Sequence, residues 1–447
     1  MILLINPWIY DFAAYDLWSF PLGLLMIGGL LEKWGFEVKL INCLDRFHPG
    51  MQELMKHCKA LPDGRGKYYR EEVPKPEVLS WVKNRRFCRY GIKEEIFIEE
   101  LQNHKPDCVF ITSAMTYWYL GPRRVAKLVR EIYPDVPLVL GGIYARLMPE
   151  HANIEGSFDY VISELFPLQL PEILSLIYKK DFRTLSPPIS LIDFPLPSFH
   201  LLTETKTLPI ITSWGCVFNC SFCASRLLFP RFEQKPYRKV IEELVIYKEK
   251  FNAQNLAFYD DALLWNRDKH ILPMLKELDK TGIKFQFHTP NGLFVNLINE
   301  ELSQWLAKSN FKTIRLSFDT ADIKRQKEIK KVTNVGLERA FSFLEKAGYK
   351  RSNIEVYIIV GLPGQGYGEV VASMKFVNSL GGKIKLADFS PIPGTGAWKE
   401  AVEKFNWVPP SDPLLHNCSL FPLAGKGITT EEFYQLKQLA GELNSLL

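Results

Sequence analysis

The sequence predicts two consecutive α/β domains followed by a small helical region. Apolar segments of strand length alternate with amphipathic segments of helix length in both halves of the chain, which is the pattern of parallel sheets covered by helices. A proline-rich stretch separates the two halves. The chain has 447 residues, too many for one compact core, and 47% of them are hydrophobic, enough for two or three cores.

The first domain, residues 1–185, is predicted to be a doubly wound parallel sheet. It opens with the strand-like segment ILLIN (2–6) and the helical pattern PLGLLMIGGLLEKWG. Further strand-like segments are VKLINC (38–43), CVFITSAM (108–115), VPLVLGG (136–142) and DYVISE (159–164). Ligands of such sheets bind at the carboxyl ends of the strands.

A basic insertion at about residues 46–100 separates the second and third predicted strands. Between Lys56 and Lys93 there are eleven Lys or Arg residues against four Asp or Glu residues. Such a run is typical of a solvated surface excursion, and a lid or a surface for an anionic substrate is the alternative.

The second domain, residues 206–400, is predicted to be a partial or complete βα barrel. It follows SPPISLIDFPLPSF, whose four prolines indicate a linker over residues 186–205. Six strand-like segments are separated by helical patterns: LPIITSW (208–214), NLAFYDD (255–261), KFQFHTP (284–290), TIRLSFD (313–319), IEVYIIVGLPG (354–364) and IKLADFSP (384–391). Barrels of this kind place their active site at the carboxyl ends of the strands. Residues 401–447 form the predicted C-terminal helical extension.

Composition narrows the possible environment and partners. The formal net charge of +5 is small for this length, so a nucleic-acid partner is not expected. Eight cysteines without a signal peptide indicate a reducing compartment, and the cytoplasm is the predicted location. The apolar run PLGLLMIGGLL is about half the length needed to span a bilayer, so no membrane segment is predicted.

Three cysteines lie close together in TSWGCVFNCSFCASR (212–226), at positions 216, 220 and 223. A structural zinc site prefers four ligands, usually in two pairs, and the sequence contains no second pair. Three thiolates on a 4Fe-4S cluster leave one iron open, which a substrate or cofactor can bind. We therefore predict that Cys216, Cys220 and Cys223 hold a cluster with an open iron.

The spacing CxxxCxxC after the first barrel strand, with Phe222 before the third cysteine, resembles the cluster motif of the radical S-adenosylmethionine (SAM) superfamily. The resemblance implies that SAM binds the open iron and that its reductive cleavage yields a 5′-deoxyadenosyl radical. It also implies a set of SAM contacts: Phe222, Asp260 in FYDD, Ser317 and Asp319 in SFDT, and Gly361 and Leu362 in GLPG. For Asp260, a cap of the strand end is an equal alternative. Asp319 and Gln365 stand where glutamate is common in relatives.

The first domain is similar to the cobalamin-binding domain that precedes the barrel in one radical SAM subgroup. The similarity rests on NPW, PLGLLMIGGLLEKWGFEVKLIN, FITSAM, LVLGGIYA and DYVISE. It implies that Ser113, Gly141 and Gly142 line the slot for the nucleotide tail of cobalamin. Trp8 and Tyr10 are candidates to cover a corrin face, and a core position is the alternative for both. The motif DxHxxG is absent after the first strand, and His48 follows the second strand instead, where a surface role is expected.

The resemblance implies an enzyme, and in this subgroup a cobalamin-dependent methyltransferase that acts on an unactivated carbon. Its cofactors would be a 4Fe-4S cluster, SAM and cobalamin. Its partners would be a small-molecule or peptide substrate and an electron donor such as flavodoxin or ferredoxin. The sequence identifies no catalytic side chain. The alternatives are a non-methylating radical SAM enzyme, a tRNA methylthiotransferase and an iron-sulfur sensor.

Overall fold

Buried parallel strands form the centre of both halves of the chain. The computed structural model describes residues 1–154, 156–165 and 167–447, which divide into two compact units. Unit 1 comprises Met1–Lys206 and Ser411–Leu415, and unit 2 comprises Thr207–Pro410 and His416–Leu447. A short segment from the C-terminal part of the chain therefore belongs to unit 1.

The regular elements of unit 1 follow the predicted alternation of strands and helices. Its strands are β1 (Ile2–Asn6), β2 (Ile9–Asp11), β3 (Val38–Asn42), β4 (Arg70–Glu72), β5 (Cys88–Tyr90), β6 (Cys108–Ile111), β7 (Leu138–Leu140) and β8 (Tyr160–Val161). Its helices are α1 (Leu22–Lys33), α2 (Gln52–Met55), α3 (Glu94–Gln102), α4 (Leu120–Ile132), α5 (Ile143–Leu147), α6 (Pro149–Ile154) and α7 (Leu170–Tyr178).

A five-stranded parallel sheet, ordered β3-β1-β6-β7-β8, forms the centre of unit 1. Ile2 and Leu4 on one face of β1, and Leu3 and Ile5 on the other, are completely buried. The helices α1 and α7 pack on the face of Ile2 and Leu4. Because β3 and β6 flank β1 on opposite sides, the strand order reverses at β1. Ligands of open α/β sheets bind at the carboxyl ends of the strands at such a reversal.

The insertion at residues 46–100 is folded, and none of the eleven Lys and Arg residues between positions 56 and 93 is buried, which agrees with a solvated charged surface. Its strands β4 and β5 form an antiparallel sheet with β2. Tyr68 and Tyr90 pack against Ile9 in a buried cluster. Arg89 forms ion pairs with two glutamates of unit 1. The count of charges did not reveal this structure because the aromatic residues between the charges are the ones that become buried.

The proline-rich segment before the barrel packs directly on α1. A Cβ atom at Gly29 would lie 2.2 Å from the carbonyl oxygen of Leu196, so the two backbones approach more closely than any side chain would permit. The Ser198 hydroxyl donates a hydrogen bond of 2.6 Å to Glu32. The glycine pair in the first helix therefore serves a close backbone approach.

The regular elements of unit 2 extend from the first barrel strand to the C-terminal helix. Its strands are β9 (Thr207–Ile210), β10 (Ser213–Trp214), β11 (Glu233–Gln234), β12 (Asn255–Phe258), β13 (Gln286–His288), β14 (Leu293–Phe294), β15 (Phe311–Thr313), β16 (Arg315–Asp319), β17 (Glu355–Val360) and β18 (Lys383–Asp388). Its helices are α8 (Ser225–Leu228), α9 (Tyr237–Phe251), α10 (Ile271–Thr281), α11 (Glu300–Lys308), α12 (Ile323–Ile329), α13 (Asn334–Lys346), α14 (Tyr367–Ser379), α15 (Gly396–Phe405) and α16 (Thr430–Ser445). In the described parts of the chain, no helix combines the length and apolarity needed to cross a bilayer.

The strands of unit 2 form an arc in sequence order. One parallel sheet has the order β15-β13-β12-β9, and a second has the order β14-β16-β17-β18. Only Ile314 separates β15 from β16, so the chain continues from one sheet into the other. Among the residues that the structure describes, no ladder joins β9 to β18. The arrangement is a partial barrel of six successive parallel strand positions.

The C-terminal helix α16 covers the edge of the barrel strand β18. The side-chain amide of Asn444 donates to the carbonyl of Ile384 at 2.9 Å and accepts from its backbone amide at 2.7 Å. Asn378 of α14 donates to the carbonyl of Leu443 at 3.0 Å. The Asn444 side chain thus pairs with the edge strand as a neighbouring strand would.

The substitution Asn444→Ala tests this edge contact. It removes both hydrogen bonds to Ile384, and we expect it to lower the free energy of unfolding by about 1 kcal/mol. Urea denaturation of the intact chain, followed with amide hydrogen exchange at Ile384, measures the effect. The matched control is Gln438→Ala on the exposed side of the same helix. Equal stability and equal exchange in the two variants would contradict the assignment.

Candidate functional site

The three cysteines of unit 2 lie on the loop between β10 and α8. Cys216 and Cys220 are half-buried, and Cys223 is exposed. The antiparallel pair β10 and β11 closes the base of the loop. Gly215 has φ 74°, and a Cβ atom there would lie 2.8 Å from the carbonyl oxygen of Arg231. Glycine is therefore required where the loop leaves the strand.

Without a bound metal, the thiols of this loop ionise less readily than an exposed cysteine does. Burial raises the pKa of the Cys216 thiol to about 11 and that of the Cys220 thiol to about 12, although the ammonium of Lys331 lowers both. Coordination to a metal deprotonates a thiol regardless of its free pKa. Within residues 1–154, 156–165 and 167–447, no three His, Cys, Asp or Glu side chains are grouped to hold a single metal ion. The donor set of three thiols on one loop fits an iron-sulfur cluster.

A buried lysine that the sequence analysis missed lies beside this loop. Lys331 is 7% exposed, and its ammonium lies 2.8 Å from the Ser317 hydroxyl and 2.7 Å from the Asp319 carboxylate. Burial opposes its charge, but the Asp319 carboxylate together with the sulfur atoms of Cys220 and Cys216 outweighs burial and raises the pKa of Lys331. It also lies 5.9 Å from the ring centre of Phe222. In the sequence it ends the charged stretch IKRQKEIKK, which is typical of an exposed helix.

The strand end that carries Ser317 and Asp319 is distorted. The register of β16 against β17 shifts between the two residues, and Asp319 has φ 69°, in the left-handed region. Aspartate tolerates this conformation better than most residues. Both side chains reach Lys331, so the structure brings together two residues predicted to bind the ribose of SAM.

The two acids of FYDD have different surroundings. Asp260 is 3% exposed, and it accepts hydrogen bonds of 2.6 Å from the hydroxyls of Thr212 and Ser213. It therefore ties the end of β9 to the end of β12. Asp261 instead accepts a 2.6 Å bond from Ser225, whose backbone amide donates to the sulfur of Cys223 at 3.4 Å. The acid beside the cysteine loop is thus Asp261.

The GLPG turn, residues 361–364, follows β17. Gln365 is 1% exposed; its side-chain oxygen accepts from the amides of Gly361 at 2.8 Å and Leu362 at 3.2 Å, while its nitrogen donates to the Ile359 carbonyl. A glutamate at this position could not donate that last bond. Leu362 lies in a buried apolar cluster against which Phe222 packs. The predicted SAM contacts at positions 222 and 362 therefore belong to one apolar surface.

In unit 1, Ser113, Gly141 and Gly142 meet at the carboxyl ends of β6 and β7. The Ser113 hydroxyl donates to the Gly141 carbonyl at 2.6 Å. Gly142 has φ 97°, and a Cβ atom there would lie 2.2 Å from the Ser113 carbonyl oxygen. A Cβ atom at Gly141 would meet nothing within 4 Å. Gly142 permits the two loops to touch, and Gly141 leaves open space that a ligand can enter.

The side chains of Trp8 and His48 form hydrogen bonds and packing contacts within unit 1. Trp8 is 1% exposed, its indole nitrogen donates to the Ile92 carbonyl at 2.7 Å, and its ring packs edge-on against Phe97. These contacts are those of a core residue, and a corrin contact of Trp8 stays a prediction. His48 lies 3.0 Å from Glu100, which raises the pKa of the imidazole.

Comparison with known proteins identifies both units. The family model of the Radical SAM superfamily matches residues 210–377, and that of the B12 binding domain matches residues 86–165. An uncharacterized methyltransferase of Pyrococcus horikoshii is 26% identical over 346 residues, covering 70% of this chain and 74% of that one. Cytidylyl-2-hydroxyethylphosphonate methyltransferase of Streptomyces wedmorensis is 23% identical over 482 residues, covering 92% of this chain and 83% of that one.

A solved structure shares the fold. The radical SAM methyltransferase TsrM from Kitasatospora setae, with cobalamin and a [4Fe-4S] cluster bound, matches with a TM-score of 0.63 at 15% identity, covering 91% of this chain and 75% of that one. This match confirms the predicted fold class of a doubly wound domain followed by a βα barrel. The two family matches confirm the predicted resemblance in each half. The chain therefore contains a radical SAM domain at residues 210–377 and a B12-binding domain at residues 86–165, and the cofactors that these two domains imply are a 4Fe-4S cluster, SAM and cobalamin.

Proposed function

We propose that this protein is a cobalamin-dependent radical SAM methyltransferase that methylates an unactivated carbon of a small-molecule or peptide substrate. The observation that carries the proposal is the presence of both family domains in a chain whose relatives are named methyltransferases over 70% and 92% of its length. When bound, the cluster and SAM supply a 5′-deoxyadenosyl radical, and cobalamin carries the methyl group. Electrons for the cluster come from an external donor such as flavodoxin or ferredoxin.

Cys216, Cys220 and Cys223 hold the cluster in this proposal. Their support is the chemistry of the donor set, since three thiols project from one short loop at the carboxyl end of the first barrel strands. The ammonium of Lys331 favours the thiolate form of Cys216 and Cys220. The loop therefore supplies negative ligands next to a positive charge.

The surroundings of Lys331 supply the proposed SAM site. Ser317 and Asp319 offer oxygen atoms of the kind that bind ribose hydroxyls, and the lysine offers a cation for the carboxylate of the methionyl group. Phe222 and Leu362 supply the apolar surface that an adenine ring needs, and the backbone of the turn at Gly361 is the proposed contact beside them.

Asp261 is the proposed partner of the amino group of SAM. It lies beside the cysteine loop, whereas Asp260 already accepts hydrogen bonds from Thr212 and Ser213. Asp260 then acts as a positioning residue that holds the two strand ends together.

Ser113, Gly141 and Gly142 form the proposed slot for the nucleotide tail of cobalamin. The open space at Gly141 and the touching loops at Gly142 support this assignment. The side chain of Trp8 belongs to the core of unit 1, so a role for it in cobalamin binding stays a prediction.

A non-methylating reaction is the second candidate. The anaerobic magnesium-protoporphyrin IX monomethyl ester cyclase of Rubrivivax gelatinosus is 22% identical over 360 residues, covering 71% of this chain and 64% of that one. A relative of this name shows that similar chains serve reactions other than methyl transfer. The experiment on cobalamin below separates the two candidates.

Replacing all three cysteines tests the cluster. The variant Cys216→Ala, Cys220→Ala, Cys223→Ala is expected to bind no 4Fe-4S cluster after anaerobic reconstitution and to form no 5′-deoxyadenosine, because the irons lose every protein thiolate. Iron and sulfide analysis with Mössbauer spectra provides the measurement. Cys418→Ala, a half-buried cysteine on another segment, is the control and should retain both. A cluster that persists in the triple variant would contradict the assignment of the three cysteines as cluster ligands.

The two neighbouring acids should respond differently to amide substitution. Asp261→Asn still accepts the bond from Ser225 but loses its charge, so we expect SAM to bind about ten-fold more weakly at unchanged stability. Asp260→Asn places an amide nitrogen among hydroxyl donors and should lower the thermal unfolding midpoint. Titration of the reduced cluster with SAM, read by EPR, gives the affinities. Weaker binding only in the position-260 variant, with normal stability, would reverse the two roles.

Supplying cobalamin during production tests the reaction. We expect stoichiometric corrin absorbance and, with SAM and a reductant, release of S-adenosylhomocysteine that depends on the corrin, because that product forms only when SAM gives up its methyl group. Visible spectra and chromatography of the products measure both. Protein that stays free of corrin and still releases 5′-deoxyadenosine would refute the proposed methyltransferase activity and favour the non-methylating reaction.

Two adjacent glycines provide the matched variants for this experiment. Gly141→Ala places a methyl group in open space, so the fold should remain stable while the corrin content falls. Gly142→Ala forces a contact with the Ser113 backbone at a positive φ, and should cost about 1–3 kcal/mol of stability. Full corrin content in the Gly141→Ala variant would contradict the proposed slot.

A further inference from the structure

The C-terminal turn, residues 421–427, lies directly against the GLPG turn. The amide of Gly364 donates to the carbonyl of Lys426 at 2.8 Å. A Cβ atom at Gly427 would lie 2.4 Å from the carbonyl oxygen of Gln365. The backbones of two segments some 60 positions apart are therefore in contact.

The ring of Phe421 is in close contact with Gly361, the first residue of the GLPG turn. A Cβ atom at Gly361 would lie 2.6 Å from Cε2 of Phe421, and Gly361 itself has φ 96°. The ring is 4% exposed and occupies the space that a side chain at position 361 would need. The aromatic ring and the glycine thus determine each other's position.

Phe421 is held in a conformation that bulky residues rarely adopt. Its φ is 53°, in the left-handed region that favours glycine and asparagine. The ring stacks on Phe433 of α16, with ring centres 4.2 Å apart and planes at 11°. Such a conformation persists only where the surrounding contacts impose it. Here the C-terminal helix imposes it.

The helix that holds Phe421 is itself fixed to the barrel. Thr429 and Glu432 form a reciprocal cap at its start, and Asn444 pairs with the edge strand near its end. A continuous series of contacts therefore connects the edge of the barrel, through α16 and Phe433, to the Phe421 ring that lies against Gly361.

We infer that Phe421 is a positioning residue of the SAM site: through its ring, the C-terminal helix sets the conformation of the GLPG turn that receives the adenine. The inference rests on the proposed function, which places the adenine of SAM against Gly361 and Leu362. It assigns to the C-terminal extension a part in cofactor affinity.

The test compares SAM binding by Phe421→Ala with binding by the wild-type holoenzyme. If the turn adopts its binding conformation in about a tenth of the variant molecules, the SAM concentration for half-saturation rises about ten-fold. The change in the EPR spectrum of the reduced cluster on adding SAM measures this concentration. At saturating SAM, the spectrum and the yield of 5′-deoxyadenosine should match those of the wild type. Loss of affinity without loss of the saturated signal is not expected of general unfolding.

The control is Gln438→Ala, which truncates an exposed side chain of the same helix and should bind SAM normally. If Phe421→Ala does not fold with its cluster, Phe421→Leu carries the test, because it keeps apolar volume but not the flat ring; an increase of about three-fold is expected. Wild-type affinity in the folded variant overturns the inference. Absence of SAM binding by the wild-type protein overturns the proposed function as well, so the two failures are distinguishable.

Discussion

The buried charge of Lys331 is the constraint on which the mouth of the barrel depends. An ammonium that is 7% exposed has lost most of its hydration, and that loss must be compensated by charge and hydrogen bonds. Asp319 and Ser317 supply both, at 2.7 and 2.8 Å, and both belong to β16. Asp319 makes this contact from a left-handed backbone conformation. The rings of Phe222 and Phe294 face the same ammonium and shield it from water.

The cysteine loop lies within the influence of the Lys331 ammonium and of the carboxylates of Asp261 and Asp319. Lys331 lowers the pKa of the Cys216 thiol, whereas burial and Asp261 raise it. A ligand that brings both a carboxylate and an amino group meets complementary charges in this environment. The loop thus combines metal ligands with the charges that a zwitterionic cofactor requires, which is why the same few residues serve the cluster and SAM in the proposed function.

Close backbone approach organises both units. In unit 1, Gly29 admits the Leu196 carbonyl to α1, and Gly142 brings two loops of the sheet edge into contact. In unit 2, Gly361 admits the ring of Phe421. Each contact joins segments that are distant in sequence. A glycine at such a point has no periodicity that would reveal its partner, so the sequence marks the position but not the contact.

The sequence by itself determined the order and type of the main strands and helices, because burial on both faces of a parallel sheet produces continuous apolar runs and amphipathic helices. It also determined the spacing of the three cysteines, since that spacing is local. Only the tertiary structure decided which acid of FYDD faces the cysteines, that the basic insertion is folded, and that Lys331 is buried. These outcomes depend on which distant groups meet a side chain. At the end of a strand, successive side chains point in opposite directions, so the sequence does not show which of two neighbouring acids faces a given loop. A lysine in a charged stretch has the same sequence context whether its ammonium is hydrated or paired with Asp319.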